Sequence, residues 1–120
     1  MDIIHVMNEI TLSRDMTSTM SRRLQVMPAV VVTGARQTGK STLVKMLTLE
    51  KRSYFSLDDL DIFELAKQSP EALVEGAAKV TLDEVQREPD LLLAVKRAID
   101  SDRQPGRFLL TGSANLLLMQ

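Results

Sequence analysis

Residues Ala29–Ser41 of this 120-residue chain, AVVVTGARQTGKS, carry the strongest indication of its fold. Residues 29–33 are mostly β-branched and apolar on both faces, which is typical of a central strand in a parallel sheet. Residues 34–41 follow the pattern G-x-x-x-x-G-K-[ST]. After it, apolar positions return at helical spacing, at Leu43, Val44 and Leu47. A strand, a glycine-containing turn and a helix in this order predict a phosphate-binding loop.

The predicted loop has the residue types that phosphate binding needs. Gly34 and Gly39 let the backbone approach an anion closely, and successive N–H groups surround it at a helix N-terminus. Lys40 can reach the β- and γ-phosphates of a nucleotide, and the Ser41 hydroxyl is left for Mg²⁺. The alternative is an ordinary glycine turn, which the flanking strand and helix disfavour. We therefore expect nucleotide binding by Gly34, Ala35, Arg36, Gln37, Thr38, Gly39, Lys40, Ser41 and Thr42.

An acidic pair, Asp83 and Glu84, directly follows the strand predicted over residues 80–82. Ligands of open α/β sheets bind at the carboxyl ends of the strands, so the position of this pair is informative. Asp83 is a candidate for the Mg²⁺ shell, and Glu84 is a candidate for polarising a water toward the γ-phosphate. An acidic pair after a strand is usually a solvated turn. Its position after a phosphate-binding loop favours the catalytic interpretation here.

Hydroxyl groups also follow the strand predicted over residues 108–111, in the sequence Thr111-Gly112-Ser113. A hydroxyl at this point can lie between the acidic pair and the γ-phosphate and help to orient the attacking water. Ser113 is equally consistent with a helix N-cap after a glycine turn. Thr111 and Ser113 are both candidates, and the sequence does not choose between them.

The remaining segments predict the helices and the further strand that complete the fold. Residues 7–25 have apolar side chains at helical spacing on one side, which predicts an amphipathic helix. A short strand is predicted over residues 54–57, two short helices between residues 58 and 76, and another helix after Pro89. Strands that alternate with helices indicate an α/β fold with a parallel sheet. We expect an N-terminal amphipathic helix within residues 1–27 that leads into one core over residues 28–120.

Composition excludes several other kinds of protein and site. The chain has no cysteine and one histidine, so disulfide scaffolds, thiolate zinc sites and multi-histidine centres are excluded. Aromatic residues make up 3%, which argues against a stacking platform for single-stranded nucleic acids. The net charge of −1 lacks the positive field of a protein that relies on phosphate-backbone contacts. No apolar run approaches the ~18 residues of a membrane span, and no basic segment precedes an apolar one at the N-terminus. We therefore expect a cytoplasmic protein without a membrane partner.

Four blocks of the sequence resemble a known family, the AAA-type ATPases of bacteria and archaea. The blocks are VVTGARQTGKSTL at residues 31–43, YFSLDD at 54–59, LDEVQREPDL at 82–91 and FLLTGSA at 108–114. They occur in collinear order, and the similarity spans roughly residues 20–118. Four matched blocks are far more specific than a phosphate-binding loop alone.

The resemblance implies a P-loop NTPase: a three-layer sandwich around a mostly parallel sheet, of the class with an additional strand and a catalytic glutamate. The roles argued above carry over to the matching residues Lys40, Ser41, Asp83 and Glu84. Thr111 or Ser113 would take the sensor position. Lys79 and Thr81 make the strand before the acidic pair more polar than is usual in this family.

The family also implies parts beyond these blocks. Its core continues into a last strand, a lid and a C-terminal domain, which we expect beyond Gln120. A neighbouring subunit of a homo-oligomer would supply an arginine finger, which can contribute ~10³–10⁵ in rate. The C-terminal domain would contact a protein or nucleic-acid partner.

We expect Mg²⁺-dependent ATP binding and hydrolysis that drives a conformational change in a partner or in a C-terminal domain. The alternative is a nucleotide-binding module that binds ATP without significant turnover. A small-molecule P-loop kinase has the right length, but it does not account for Asp83 and Glu84. The apolar residues 115–119 have no following element to cover them, so the isolated chain is expected to associate and to hydrolyse ATP poorly.

Overall fold

The computed structural model describes residues 7–11, 22–33 and 52–112, which contain a five-stranded sheet with all strands parallel. The strands are β1 Met7–Thr11, β2 Ala29–Thr33, β3 Ser53–Ser56, β4 Val80–Asp83 and β5 Phe108–Gly112. The helices are α1 Leu60–Gln68, α2 Pro70–Val74 and α3 Asp90–Ser101, and a 3₁₀ turn covers Val85–Arg87. The predicted α/β class with a parallel sheet is confirmed.

The strand order across the sheet is β1-β2-β5-β4-β3. An additional strand, β5, therefore separates the strand before the predicted loop from the strand that ends at Asp83, as the resemblance implies. In register, Thr33 of β2 pairs with Gly112 of β5, and Leu82 of β4 pairs with Leu110 of β5. The carboxyl ends of these three strands therefore lie side by side.

One face of the sheet carries the main apolar core. Residues in register across β2, β5 and β4 supply the sheet side of this core: Ala29, Val31, Phe108, Leu110, Val80 and Leu82. Helices α1, α2 and α3 supply the other side, with Ala66, Leu73, Val74, Leu91, Val95 and Ile99. Every one of these side chains is at most 1% exposed. Burying a large aliphatic side chain stabilises a fold by about 1.5–3 kcal/mol, so this layer holds the sheet rigid beneath the strand ends.

The helices begin where the sequence provides caps. The Asp59 side chain accepts hydrogen bonds from the N–H groups of Asp61 and Ile62 at the start of α1. Pro70 is the first residue of α2, where its missing N–H costs nothing. Asp90 lies in the first turn of α3 and interacts favourably with the helix dipole.

The helix predicted over residues 7–25 is wrong at its beginning. Met7–Thr11 is a strand that pairs parallel with β2, from Met7 opposite Ala29 to Thr11 opposite Thr33. Met16, Met20 and Leu24 are four residues apart and Met7 and Ile10 lie roughly in phase with them, which predicts a helix. Two apolar positions in phase do not by themselves extend that helix through residues 7–11. The backbone groups of β2 gain hydrogen-bond partners from this strand, and that tertiary pairing outweighs local propensity.

Only a single helical turn, at residues 22–24, is described in the second half of that segment. The N–H of Met27 donates to the carbonyl of Arg23 as this turn ends. Residues 12–21 lie outside the described ranges. The proposed division of the chain between residues 27 and 28 stays a prediction.

Candidate functional site

The candidate site lies where β4 and β5 end. Asp83 is the last residue of β4, and Thr111 lies near the end of β5 on the neighbouring strand. Asp83 and Glu84 are each 3% exposed, and Thr111 is fully buried. The acidic pair is therefore not a solvated turn. Burying carboxylates is costly unless hydrogen bonds compensate, so their partners decide what the site can do.

The Thr111 hydroxyl connects the two acidic residues. It donates a short hydrogen bond to Oδ1 of Asp83. It also accepts a hydrogen bond of 3.0 Å from the backbone N–H of Glu84. A threonine hydroxyl can donate once and accept at the same time, and both capacities are used here. Thr111 thereby fixes the Asp83 side chain and the Glu84 backbone relative to each other.

Tyr54 is a member of this site that the sequence analysis missed. Its hydroxyl donates to Oδ2 of Asp83 at 2.5 Å. Tyr54 lies opposite Thr81 in the β3–β4 register, so its ring reaches diagonally along the same face to Asp83. Burial, followed by the hydrogen bond to Asp83, raises the pKa of Tyr54 well above its usual range, so the phenol is a proton donor at neutral pH. The alternation of Tyr54 and Ser56 with Phe55 and Leu57 is the sequence signal for this placement.

Glu84 has a backbone conformation that is rare for its residue type. Its φ of 61° and ψ of 44° lie in the left-handed region, which costs roughly 1–2 kcal/mol for a residue with a Cβ. The bond from its N–H to Thr111 and the bond from the Arg87 N–H to its carbonyl hold this conformation. The chain turns sharply after Asp83, so the two neighbouring acidic residues have different surroundings.

The Glu84 carboxylate has a partner that the sequence analysis also missed. The side-chain amide of Gln86 donates to Oε2 of Glu84 at 3.2 Å, within the 3₁₀ turn that follows β4. A residue two positions away on a tight turn gives no periodic signal. The two side chains meet in the 3₁₀ turn that Glu84 precedes in its left-handed conformation.

An ion pair connects the loops that follow β3 and β4. Nε of Arg87 lies 2.5 Å from Oδ1 of Asp58, and both side chains are about two-fifths exposed. Exposed pairs of this kind contribute about 0–1 kcal/mol, so the pair orients the loops more than it stabilises the fold.

Arg52 explains the polar position in β4. Its guanidinium donates to Oγ1 of Thr81 at 3.1 Å and to the carbonyl of Val80 at 3.0 Å. It also donates to the carbonyls of Gly106 and Arg107 in the turn before β5. Burial lowers the pKa of Arg52 to about 10, so it is cationic at neutral pH. Thr81 therefore accepts a hydrogen bond from Arg52, which connects the start of β3 to the beginnings of β4 and β5.

Asp83 has the chemistry expected of a Mg²⁺ ligand. A carboxylate has about four lone-pair sites, and the two hydroxyl donors use one on each oxygen. Sites remain for a water or a metal ion. In the described ranges, no group of three or more potential metal-ligating side chains occurs. One carboxylate together with substrate phosphates and waters is the usual Mg²⁺ arrangement at nucleotide sites, so the residues fit that ion.

The other predicted site residues lie outside the described ranges. These are the residues of the predicted phosphate-binding loop, including Lys40 and Ser41, together with Thr42 and Ser113. Thr33, the last described residue before the loop, pairs with Gly112, which is adjacent to Thr111. Thr111, the sensor candidate that lies within the described ranges, contacts the acidic pair. The roles of all these residues stay predictions.

Comparisons with known proteins show the family to which the chain belongs. The model of a family described as an AAA domain matches residues 26–120, which indicates a nucleotide-binding, ATPase-like protein. Uncharacterized proteins of Mycobacterium bovis and Mycobacterium tuberculosis are each 33% identical to this chain over 105 residues. The alignment covers 85% of this chain and 23% of each relative, so the chain spans less than a quarter of their length. No solved structure matches the chain. None of the helices in the described ranges is long and apolar enough to cross a membrane.

Proposed function

We propose that this chain, which belongs to the AAA domain family, binds ATP with Mg²⁺ and hydrolyses it to drive a conformational change. The observation that supports this most directly is the buried network at the carboxyl ends of β4 and β5. There Thr111 connects the side chain of Asp83 to the backbone of Glu84. A stability role alone does not require two adjacent buried carboxylates and a left-handed glutamate, whereas strained backbone conformations of this kind cluster at functional sites.

Each residue of the proposed site has one role. Lys40 binds the β- and γ-phosphates, and Ser41 and Asp83 hold Mg²⁺, which neutralises charge on the phosphates. Glu84 accepts a proton from the attacking water as general base. Thr111, or Ser113, helps to orient that water. The hydrogen bond from the Glu84 N–H to Thr111 keeps the backbone of the base in a fixed position relative to β5.

We further propose that the protein acts in the cytoplasm as a homo-oligomer whose neighbouring subunit supplies an arginine finger. The conformational change would be passed to a C-terminal domain or to a protein or nucleic-acid partner. The relatives are more than four times as long as the aligned region, which is consistent with such a domain.

A second candidate function is ATP binding without significant turnover. The hydrogen bond from Gln86 to the Glu84 carboxylate favours it, because a general base that is engaged by an amide is less available to a water. The two functions differ in steady-state phosphate release and agree in nucleotide binding.

The first experiment measures Mg²⁺-dependent ATP binding by calorimetry. We expect Lys40→Ala to abolish most of the affinity, because this lysine is the main side-chain charge on the phosphates. Lys67→Ala, on the exposed side of α1, is the matched loss of charge and should bind like the wild type. Equal affinities in Lys40→Ala and the wild type would contradict the phosphate-binding loop.

Hydrolysis is tested with Glu84→Gln. This variant should retain ATP and release phosphate ~10²–10⁴ more slowly, the usual contribution of a positioned base. Glu64→Gln, exposed on α1, is the control for loss of a carboxylate. A wild-type rate in Glu84→Gln would contradict the catalytic role, and binding without phosphate release in the wild type would establish the second function.

A further inference from the structure

Tyr54 is the one tyrosine of this chain, which also has no tryptophan. It projects from β3, the edge strand beside β4, and is half-buried. Its hydroxyl reaches Oδ2 of Asp83 at 2.5 Å. Tyr54 is thus neither fully buried nor fully exposed, and its hydroxyl is hydrogen-bonded to the buried carboxylate of Asp83.

The effect of this bond on Asp83 follows from the second bond to the same group. An aspartate carboxylate ordinarily rotates over a broad range about its last torsion. Here Thr111 donates to Oδ1 and Tyr54 donates to Oδ2. Two donors, one on each strand that flanks β4, therefore set the plane of the carboxylate and leave its remaining lone pairs in fixed directions.

Rigid support of this kind matters most for a metal ligand. Partners that orient the ligands of a metal ion typically contribute 10–100-fold to its affinity. Both donors lie on strands, and residues on strands are held in position more precisely than residues on loops. Thr111 also accepts a hydrogen bond from the backbone of Glu84, whereas the Tyr54 hydroxyl donates to the Asp83 carboxylate. Tyr54 is therefore the residue through which the orientation of Asp83 can be tested with Glu84 left in place.

We propose that Tyr54 is a positioning residue that orients the Asp83 carboxylate toward Mg²⁺, an inference that rests on the proposed function. In this role the hydroxyl acts through the Asp83 carboxylate. Its removal should weaken the metal-dependent part of ATP binding and leave the metal-independent part unchanged.

The test compares ATP affinity in excess Mg²⁺ with ATP affinity in EDTA, by calorimetry, for the wild type and Tyr54→Phe. The ratio of the two affinities measures the contribution of the metal. We expect Tyr54→Phe to lower this ratio about tenfold and to leave the affinity in EDTA within about twofold, because the ring is retained. In an Asp83→Asn background, Tyr54→Phe should change the ratio by less than about twofold. If the two groups act through one contact, removing Tyr54 has little further effect once Asp83 has been replaced.

An independent readout uses no nucleotide. With ring-labelled tyrosine, the ligand-free chain gives the NMR signals of Tyr54 alone. Asp83→Asn should shift these signals, and Glu64→Gln should not. Unshifted signals in Asp83→Asn would overturn the inference, because the contact would then be absent in solution.

The two measurements separate failure of this inference from failure of the proposed function. A wild type whose ATP affinity rises with Mg²⁺, combined with an unchanged ratio in Tyr54→Phe, overturns the positioning role alone. A wild type with no Mg²⁺-dependent ATP affinity overturns the proposed function and the inference with it.

Discussion

Replacing Thr111 with valine removes one hydroxyl from the centre of the site and keeps the shape of the side chain. The hydroxyl is fully buried, donates to Asp83 and accepts from the N–H of Glu84. Valine can do neither, so one carboxylate oxygen and one backbone N–H lose their partner on β5. Both residues are 3% exposed, and solvent offers little compensation.

The magnitude follows from these two losses. A hydrogen bond to a charged group contributes about 1.5–3 kcal/mol, and a buried N–H left without a partner costs about 1–3 kcal/mol. Tyr54 continues to donate to the other oxygen of Asp83, which limits the first loss. We expect Thr111→Val to lower the free energy of unfolding by about 3–4 kcal/mol, a large share of the ~5–15 kcal/mol of a typical domain.

The assay is urea unfolding followed by circular dichroism, with Thr111→Ser as the matched control. Serine keeps the hydroxyl and loses one buried methyl group, which costs about 1 kcal/mol. The two variants should therefore differ by at least ~2 kcal/mol. If valine is as stable as serine to within ~0.5 kcal/mol, then the hydroxyl does not hold the acidic pair, and the reasoning about the site is refuted.

Two further predictions concern stability away from the proposed chemistry. Arg52→Met should lower the free energy of unfolding by about 2–4 kcal/mol in urea titrations, because Thr81 and three carbonyls lose a charged donor. The stability of Arg52→Lys should fall between those of Arg52→Met and the wild type. A methionine variant as stable as the wild type would contradict the role of Arg52 in connecting the strands. The pKa of Tyr54 is raised in the folded chain, so its contribution to stability is fully present below about pH 10, the usual phenol pKa, and is lost as the pH rises above it. Unfolding titrations above that pH should show a steeper loss for the wild type than for Tyr54→Phe, and parallel curves would be evidence against the bond to Asp83.

Most of the fold could be predicted from local patterns. Val30, Val31 and Val32 predict a strand because β-branched residues pack well in a sheet that is buried on both faces. The structure begins and ends that strand where the pattern does, at Ala29 and Thr33. The first segment could not be predicted in this way, because Met7–Thr11 is a strand only when β2 offers its edge.

The candidate residues at the strand ends can be predicted from the sequence alone. Asp83, Glu84 and Thr111 were identified as candidates because the carboxyl ends of parallel strands meet at one side of a sheet. The contacts among these residues form only in the folded chain, which also brings Tyr54 and Gln86 into the candidate site. Contacts of this kind depend on strand register and on the left-handed turn at Glu84. Neither leaves a periodic signal in the sequence, because both arise only when separate segments pack together.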